Sequence, residues 1–143
     1  MLPTQIPVEE FTTPDPVTAR EDLSIDELQA LMKRHVIRHL PVVRGDAVVG
    51  LISDRDVRLV AGLSLAEKLQ VRAGDIMVTE PLTVAASAPL QEVALKMASL
   101  KVGSAIVNDE DGRLLGIFTA VDALNALVEI ARGQGTRWTH AGR

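Results

Sequence analysis

An internal repeat constrains the fold of this chain of 143 residues more than any other feature. A shift of 65 positions aligns Met32 with Met97, and a shift of 66 aligns Gly50 with Gly116 further along. The shift changes within segments that have the composition of tight turns, where an extra residue is tolerated. Two copies of one structural unit are therefore expected. A single copy of about 60 residues is too small to bury both of its helices alone.

Hydrophobic periodicity and turn residues predict the elements of the first copy. Ser24 and Glu27 have the spacing of a capping box and precede apolar residues at helical intervals. The predicted elements are an extended stretch at 16–18, a helix that ends near His35, strands at 40–43 and 47–52, and a helix from Ser53 to about Gly62. Each copy is thus expected to run strand, helix, strand, strand, helix.

The same order is predicted for the second copy, from Leu82 to about Arg132, where Gly133 ends the last helix. A short helix after Ser64 is expected to link the copies, and the segment 64–73 is the expected hinge. The chain is accordingly divided into a first repeat at 1–66, a second repeat at 67–132 and a mobile tail at 133–143. Trp138 belongs to that tail and is expected to lie outside the core.

Composition excludes several classes of function. The chain has one Trp, two Phe and no Tyr, so a bound base cannot be held between stacked aromatic rings. A net charge of −4 argues against binding to a phosphate backbone, which requires many Lys and Arg residues. Without cysteine there are no disulfides or thiolate sites, and no apolar run is long enough for a membrane span. A cytoplasmic protein without membrane association is expected.

Several repeated segments together resemble a tandem pair of cystathionine-beta-synthase-type (CBS) domains, the unit called a Bateman module. These segments are DPVT at 15–18, MVTEPLTV at 77–84, RHLPVV at 38–43, and the two Gly-x-x-Ser/Thr-x-x-Asp motifs at 50–56 and 116–122. The resemblance implies an α/β (α+β) fold in which each repeat has a short mixed sheet and two helices, and the repeats pack about a pseudo-twofold axis. The second copy reads VGSAIV at 102–107 and lacks the basic residue and proline of the family's middle strand.

The two Ser/Thr-x-x-Asp motifs admit two interpretations that do not exclude each other. Ser53 and Thr119 are suited to cap a helix, with Asp56 and Asp122 in its first turn. A helix N-terminus also attracts anions, whereas a carboxylate accepts hydrogen bonds and repels a phosphate. A ribose diol beside the Asp, with its phosphate nearer the hydroxyl residue, satisfies both conditions. The motifs are therefore caps alone, or caps that also bind a nucleotide.

The resemblance implies two ligand clefts, each shared between the copies. The first cleft is expected to contain Ser53, Asp56, Arg38 and His39 with Leu82 and Val102, and the second Thr119 and Asp122 with Thr12, Val17 and Ile37. The expected ligand is AMP, ADP or ATP, ahead of S-adenosylmethionine and NAD. No other cofactor is required.

A basic cluster precedes the middle strand of the first copy. Lys33 to His35 stabilise the negative end of the preceding helix, whereas Arg38 and His39 follow that helix, where the resemblance places phosphate contacts. Arg55 is a further candidate. His35 and His39 have the spacing of helical zinc ligands, but Pro41 disfavours such a helix and a third ligand is lacking, so no metal site is predicted.

Catalysis is not predicted, because the chain lacks a nucleophile elbow, a phosphate-binding loop and an acid/base constellation. The sequence favours a stand-alone regulatory sensor that binds an adenosine-containing ligand and changes its association with itself or with an unidentified regulated protein. A homodimer is expected. The alternative is a ligand-free dimerisation or protein-interaction domain. Nucleic-acid binding is the least favoured hypothesis.

Overall fold

The computed structural model describes residues 5–136. The elements are a 3-10 helix at Val8–Phe11, β1 at Thr13–Pro14, β2 at Ala19–Arg20, α1 at Ile25–His35, β3 at His39–Arg44, β4 at Ala47–Ser53, α2 at Asp54–Ala61, α3 at Leu65–Lys68, α4 at Ala73–Ile76, β5 at Thr83–Ala85, α5 at Leu90–Leu100, β6 at Ser104–Asn108, β7 at Leu114–Thr119 and α6 at Ala120–Thr136. The predicted helices and hairpin strands of both copies are confirmed within a few residues.

Two small mixed sheets form the centre of the fold, as the α/β prediction required. One sheet has the strand order β2-β3-β4, and the other has the order β1-β7-β6-β5. In each sheet the middle strand pairs in parallel with the first strand of its copy and antiparallel with its hairpin partner. The repeated sequence therefore produces the same ladder twice, with β1 added to the second sheet.

Short segments of the chain are exchanged between the two copies. Strand β1, from the N-terminal segment, pairs antiparallel with β7, so that Thr13 lies opposite Ile117. In the equivalent exchange, the backbones of Val78 and Leu51 hydrogen-bond to each other in both directions, at 2.9 and 3.0 Å. The N-terminal segment thus completes the second unit, and the segment after the linker completes the first.

The buried apolar residues form one core for each unit, and the exchanged segments contribute to both. Ala73 lies in the first core beside residues of α1, β3 and β4. Val8, from the N-terminal 3-10 helix, is fully buried in the second core against residues of α5, β6 and β7. Removal of either exchanged segment would therefore open a core rather than merely shorten a sheet edge.

Two equivalent glycines allow the exchanged segments to approach the sheets. A Cβ at Gly116 would collide with the backbone carbonyl of Thr13, and a Cβ at Gly50 would collide with the side chain of Met77. Both glycines are buried and occupy the first position of the Gly-x-x-Ser/Thr-x-x-Asp motifs. The glycine of each motif is therefore required where the segment from the other copy crosses the strand.

The two copies also share an unusual backbone conformation at equivalent helix ends. Val36 and Lys101 have φ angles of 53° and 58°, and they end α1 and α5 at positions 65 residues apart. In each case the next amide donates to the carbonyl of the aligned methionine at 3.0 Å, which is the bond of a Schellman motif. Neither residue is a glycine, which is the usual residue at this position of a helix end.

Two predicted boundaries differ from the structure. Strand β2 begins at Ala19, just after the predicted stretch at 16–18, because the register with Val42 places its ladder there. Helix α6 continues past Gly133, which is buried, to Thr136. The predicted mobile tail at 133–143 therefore begins inside α6, and its part from 137 onwards, with Trp138, lies outside the described residues. The division at residue 66 stays a prediction.

The linker predicted as a hinge is folded against the first repeat. Ser64 caps α3 as expected, and Lys68 forms an ion pair with Asp26 at 3.1 Å. A backbone bridge joins Ser24 to Arg72 further along the linker. Among residues 5–136, no helix is long and apolar enough to cross a membrane.

Substitution of Gly116 by Ala is expected to destabilise the protein by about 1–3 kcal/mol, because the new methyl group displaces the backbone of β1. Gly50→Ala is expected to cost less, since its two closest contacts, Sδ and Cγ of Met77, move when that side chain adopts another rotamer, and only the contact with the Met77 Cβ remains. Urea unfolding followed by circular dichroism measures both effects. Gly62→Ala is the matched control, because its Cβ has no atom closer than 3.6 Å. Equal urea midpoints for Gly116→Ala and Gly62→Ala would contradict the steric conflict expected between a Cβ at Gly116 and the backbone of β1.

Candidate functional site

The first Ser-x-x-Asp motif forms a complete capping box at the start of α2. The amide of Asp56 donates to Oγ of Ser53 at 3.2 Å, and the amide of Ser53 donates to Oδ2 of Asp56 at 3.2 Å. The Ser53 hydroxyl also donates to the same Oδ2 at 2.8 Å. The predicted cap is confirmed. Within residues 5–133, no donor bonds to the other carboxylate oxygen, Oδ1 of Asp56, which is free to accept a hydrogen bond.

The second motif repeats this geometry at the start of α6. The amide and the hydroxyl of Thr119 donate to Oδ2 of Asp122 at 2.9 and 3.1 Å, and the amide of Asp122 donates to Oγ1 of Thr119 at 3.2 Å. Here, however, the hydroxyl of Thr13 lies 3.4 Å from Oδ1 of Asp122. The exchanged segment thus supplies a weak donor to the oxygen that is free in the first motif.

Thr13 was not predicted as a site residue, whereas its neighbour Thr12 was. The hydroxyl of Thr12 is buried and donates to the carbonyl of Val8 at 2.8 Å, so it serves the N-terminal 3-10 helix. The repeat contains the relevant signal, because Thr13 aligns with Val78, the residue that crosses the first sheet. A comparison of the two crossing residues would have shown that only one of them has a hydroxyl group.

His39 joins the first motif to the second copy. It lies opposite Ser53 in the β3–β4 ladder, and a Cβ at Gly103 would lie 3.5 Å from its Nε2. Burial lowers the pKa of His39 below its ordinary value of 6.5, and the charge of Arg38 lowers it further, against the opposite effect of Asp56. The imidazole is therefore neutral at pH 7. It brings a hydrogen-bonding group to the boundary between the repeats.

Arg38 is exposed and lines a groove between α1 and α2, together with Lys33 and Arg58. Arg55 is also exposed, in the first turn of α2. The basic cluster is divided as the sequence indicated: α1 ends at His35, and His39 begins β3. The two histidines therefore do not share a helix face, and residues 5–136 contain no group of three or more His, Asp or Glu placed to hold a metal ion.

The predicted apolar wall residues are distributed over both units. Val17 and Ile37 pack against the first core, and Leu82 packs against the second. Val102 follows α5 and is 40% exposed beside Gly103, the residue that faces His39. The structure thus brings Ser53, Asp56 and His39 close to the 102–103 segment. A role in ligand binding for Val17, Ile37 and Leu82 stays a prediction.

A second cavity of about 560 Å³ lies beside the second motif. It is lined by Glu10, Phe11, Thr12, Asp122, Asn125, Val128, Glu129 and Arg132. Two of these residues, Thr12 and Asp122, were predicted for the second cleft. The cavity lies between the N-terminal 3-10 helix and α6, and the described residues that line it include more carboxylates than cations. This excess of negative charge disfavours a phosphate group near Asp122.

Comparisons with known proteins agree with the repeat. An inosine-5'-monophosphate dehydrogenase of Korarchaeum cryptofilum is 36% identical over 114 residues, which are 80% of this chain and 23% of the enzyme. This chain therefore spans about a quarter of the length of that relative.

Two solved structures are similar over most of the chain. One is CBSX2 in complex with AMP, with a TM-score of 0.76, 28% identity, and coverage of 88% of this chain and 98% of that one. The other is the CBS domain pair of protein MJ0100 in complex with 5-methylthioadenosine and S-adenosyl-L-methionine, with a TM-score of 0.77 and 26% identity over 87% of this chain and 97% of that one. A model of the CBS domain matches residues 8–61 and 73–129. The chain belongs to the CBS domain family and contains a tandem pair of these domains.

Proposed function

We propose that this CBS pair is a regulatory module that binds an adenosine-containing ligand and performs no catalysis of its own. The observation that carries the proposal is the free Oδ1 of Asp56, held by the capping box at the N-terminus of α2. This carboxylate oxygen is suited to accept a hydrogen bond from a ribose hydroxyl. The similar structures of CBSX2 and MJ0100 contain AMP and S-adenosyl-L-methionine, respectively, which supports an adenosine compound as the ligand class.

The cleft at Asp56 is the better candidate for a phosphorylated ligand. His39 lies opposite Ser53 in the β3–β4 ladder, and the carbonyl of Arg38 accepts a hydrogen bond from the amide of Asp54. A Cβ at Gly103 of the second copy would lie 3.5 Å from Nε2 of His39. The equivalent positions of the second copy are Gly103 and Ser104, which have no cationic side chain. AMP, ADP or ATP is therefore proposed at Asp56, and S-adenosylmethionine or NAD is less favoured.

A surface of the second repeat supports association with a second copy of the chain. Along α6, Val121, Leu124 and Leu127 are each more than 60% exposed, although they lie at helical spacing on one side. The aligned positions of the first two in α2 are Arg55 and Arg58. Because an exposed apolar face typically marks an interaction surface, we propose a homodimer in which the α6 helices meet about a twofold axis.

The same surface favours the second candidate function, a dimerisation or protein-interaction domain that binds no ligand. In that case the Ser/Thr-x-x-Asp motifs act only as helix caps. The regulatory hypothesis requires that the ligand bind two arrangements of the repeats or protomers with different affinity. Ligand binding and self-association are therefore separate properties to measure.

A thermal-shift panel of AMP, ADP, ATP, S-adenosylmethionine and NAD tests the ligand class. A ligand at 100 times its Kd is expected to raise the free energy of unfolding by about 2.7 kcal/mol. Asp56→Ala is expected to remove the shift because the ribose acceptor is lost, and Asp122→Ala is expected to leave it unchanged.

The matched control is Glu27→Ala, which breaks the capping box of α1 without touching either cleft. Both Asp56→Ala and Glu27→Ala are expected to lower stability by about 1 kcal/mol, but only Asp56→Ala abolishes the ligand shift. Retained binding in the Asp56→Ala, Asp122→Ala and double variants would refute the ribose role. If none of the five compounds shifts the unfolding temperature, the regulatory proposal fails and the ligand-free interaction domain is the better candidate.

The depressed pKa of His39 predicts that binding of a phosphorylated ligand takes up a proton. A phosphate beside the imidazole stabilises its charged form, so its pKa rises in the complex and affinity increases as pH falls. The Kd of the His39→Gln variant for AMP, divided by the Kd of the wild type, is expected to increase as the pH falls from about 7.5 to about 5.5. A ratio that does not change with pH would exclude His39 from the phosphate contact.

Leu124→Glu is expected to dissociate the homodimer, because it places two carboxylates in the apolar contact across the twofold axis. Light scattering coupled to size exclusion measures the mass. Leu59→Glu is the control, since Leu59 is 70% exposed on α2, outside the proposed surface. A dimer that survives Leu124→Glu, or one that Leu59→Glu disrupts equally, would contradict the proposed interface.

A further inference from the structure

A groove on the outer side of the first repeat contains three cationic residues. It lies between the C-terminal half of α1 and the first turns of α2 and has a volume of about 610 Å³. Its charged lining residues are Lys33, Arg38, Asp54 and Arg58. We call this cavity the basic groove.

The charges of the basic groove are not balanced by the surrounding protein. Asp54 is the only carboxylate among the described residues that line the groove, and it forms an ion pair with Arg58 at 3.2 Å. Within the described part of the chain, Lys33 and Arg38 form no ion pair and no side-chain hydrogen bond. Two cations therefore face the groove without a partner, which favours an anionic occupant.

The second repeat shows that the fold does not require these cations. The positions aligned with Lys33, Arg38 and Arg58 are Ala98, Gly103 and Leu124. Helix α5 ends in the same Schellman turn as α1, although Ala98 replaces the lysine. Stabilisation of a helix C-terminus thus does not account for Lys33, and packing does not account for the arginines.

The basic groove begins next to the Asp56 cleft. The amide of Asp54 donates to the carbonyl of Arg38 at 2.7 Å, which joins the first turn of α2 to the start of β3. His39, the next residue, lies opposite Ser53 in the ladder. A phosphate bound at the N-terminus of α2 would therefore have the groove beside it, on the side where the three cations lie.

We infer that the basic groove binds the phosphate groups that extend beyond the first one of a nucleotide at Asp56, so that the protein prefers ADP and ATP to AMP. This inference rests on the proposed function, because Asp56 must hold the ribose for the phosphate chain to reach the groove. Arg38 lies between the cleft and the groove, and Lys33 and Arg58 bind the terminal phosphates. Guanidinium and ammonium groups bind phosphate through charge-assisted hydrogen bonds.

The test is isothermal titration of AMP and ATP into the wild type and into a Lys33→Gln/Arg58→Gln variant. Glutamine removes the charge but keeps part of the aliphatic stem, and both positions are exposed. We expect the double variant to bind ATP about tenfold to a hundredfold more weakly and AMP with unchanged affinity, since each exposed charge contact contributes modestly. The preference for ATP is also expected to decrease at high salt.

The matched control is Arg20→Gln/Arg34→Gln, which removes two positive charges from the cavity on the opposite side of α1. This variant has the same net charge as the test variant, so it reports the effect of overall charge alone. Unchanged ATP affinity in the control, together with the loss in the test variant, supports the inference. Equal losses of ATP affinity in both variants, or equal losses of AMP and ATP affinity in the test variant, would overturn it.

Failure of the proposed function is distinguishable from failure of this inference. If the wild type binds none of the five compounds of the thermal-shift panel, the proposed function is wrong, and tripolyphosphate alone becomes the probe. Binding of tripolyphosphate by the wild type and by the Arg20→Gln/Arg34→Gln control, but not by the test variant, would retain the basic groove as a site for free polyphosphate. Absence of tripolyphosphate binding would then overturn the inference as well.

Discussion

The exchange of short segments between the two repeats is the constraint on which the rest of the structure depends. Thr13 pairs with Ile117 of β7, and Val78 pairs with Leu51 of β4. Each pair lies next to a glycine, Gly116 or Gly50, where a Cβ would collide with the crossing segment. The exchanged segments also bury residues such as Val8 and Ala73 in the core of the opposite unit. Neither repeat therefore has a complete core alone, and the two Ser/Thr-x-x-Asp motifs are held beside strands that the other copy crosses.

Residues that recur at aligned positions of the two copies are those that the fold requires, and residues that do not recur distinguish the two sites. Capping boxes, left-handed helix ends and crossing glycines occur in both copies, which indicates a structural role. The cations that line the groove do not recur, because Arg38 and Arg58 are replaced by Gly103 and Leu124. The first repeat consequently has a basic groove, and helix α6 of the second repeat has an exposed apolar face. These differences support distinct functions for the two halves of a symmetric scaffold.

Helix capping and ligand binding are compatible in the first motif because a carboxylate has two oxygens. Oδ2 of Asp56 is used by the backbone and hydroxyl of Ser53, and Oδ1 is free. In the second motif, Thr13 lies close to the corresponding oxygen of Asp122. The sequence predicted both caps correctly, since capping depends on residues three positions apart. It did not predict Thr13, because that contact spans 109 positions.

The sequence by itself determined the repeated order of elements, the ends of α1 and α2, and both capping boxes, because these depend on local periodicity and on short-range hydrogen bonds. Only the tertiary structure decided which copy each short segment completes, that His39 meets Gly103, and that Lys33, Arg38 and Arg58 share one groove. Segment exchange and groove formation require contacts between distant positions, and the free energy of those contacts comes from burial and packing that no local pattern encodes.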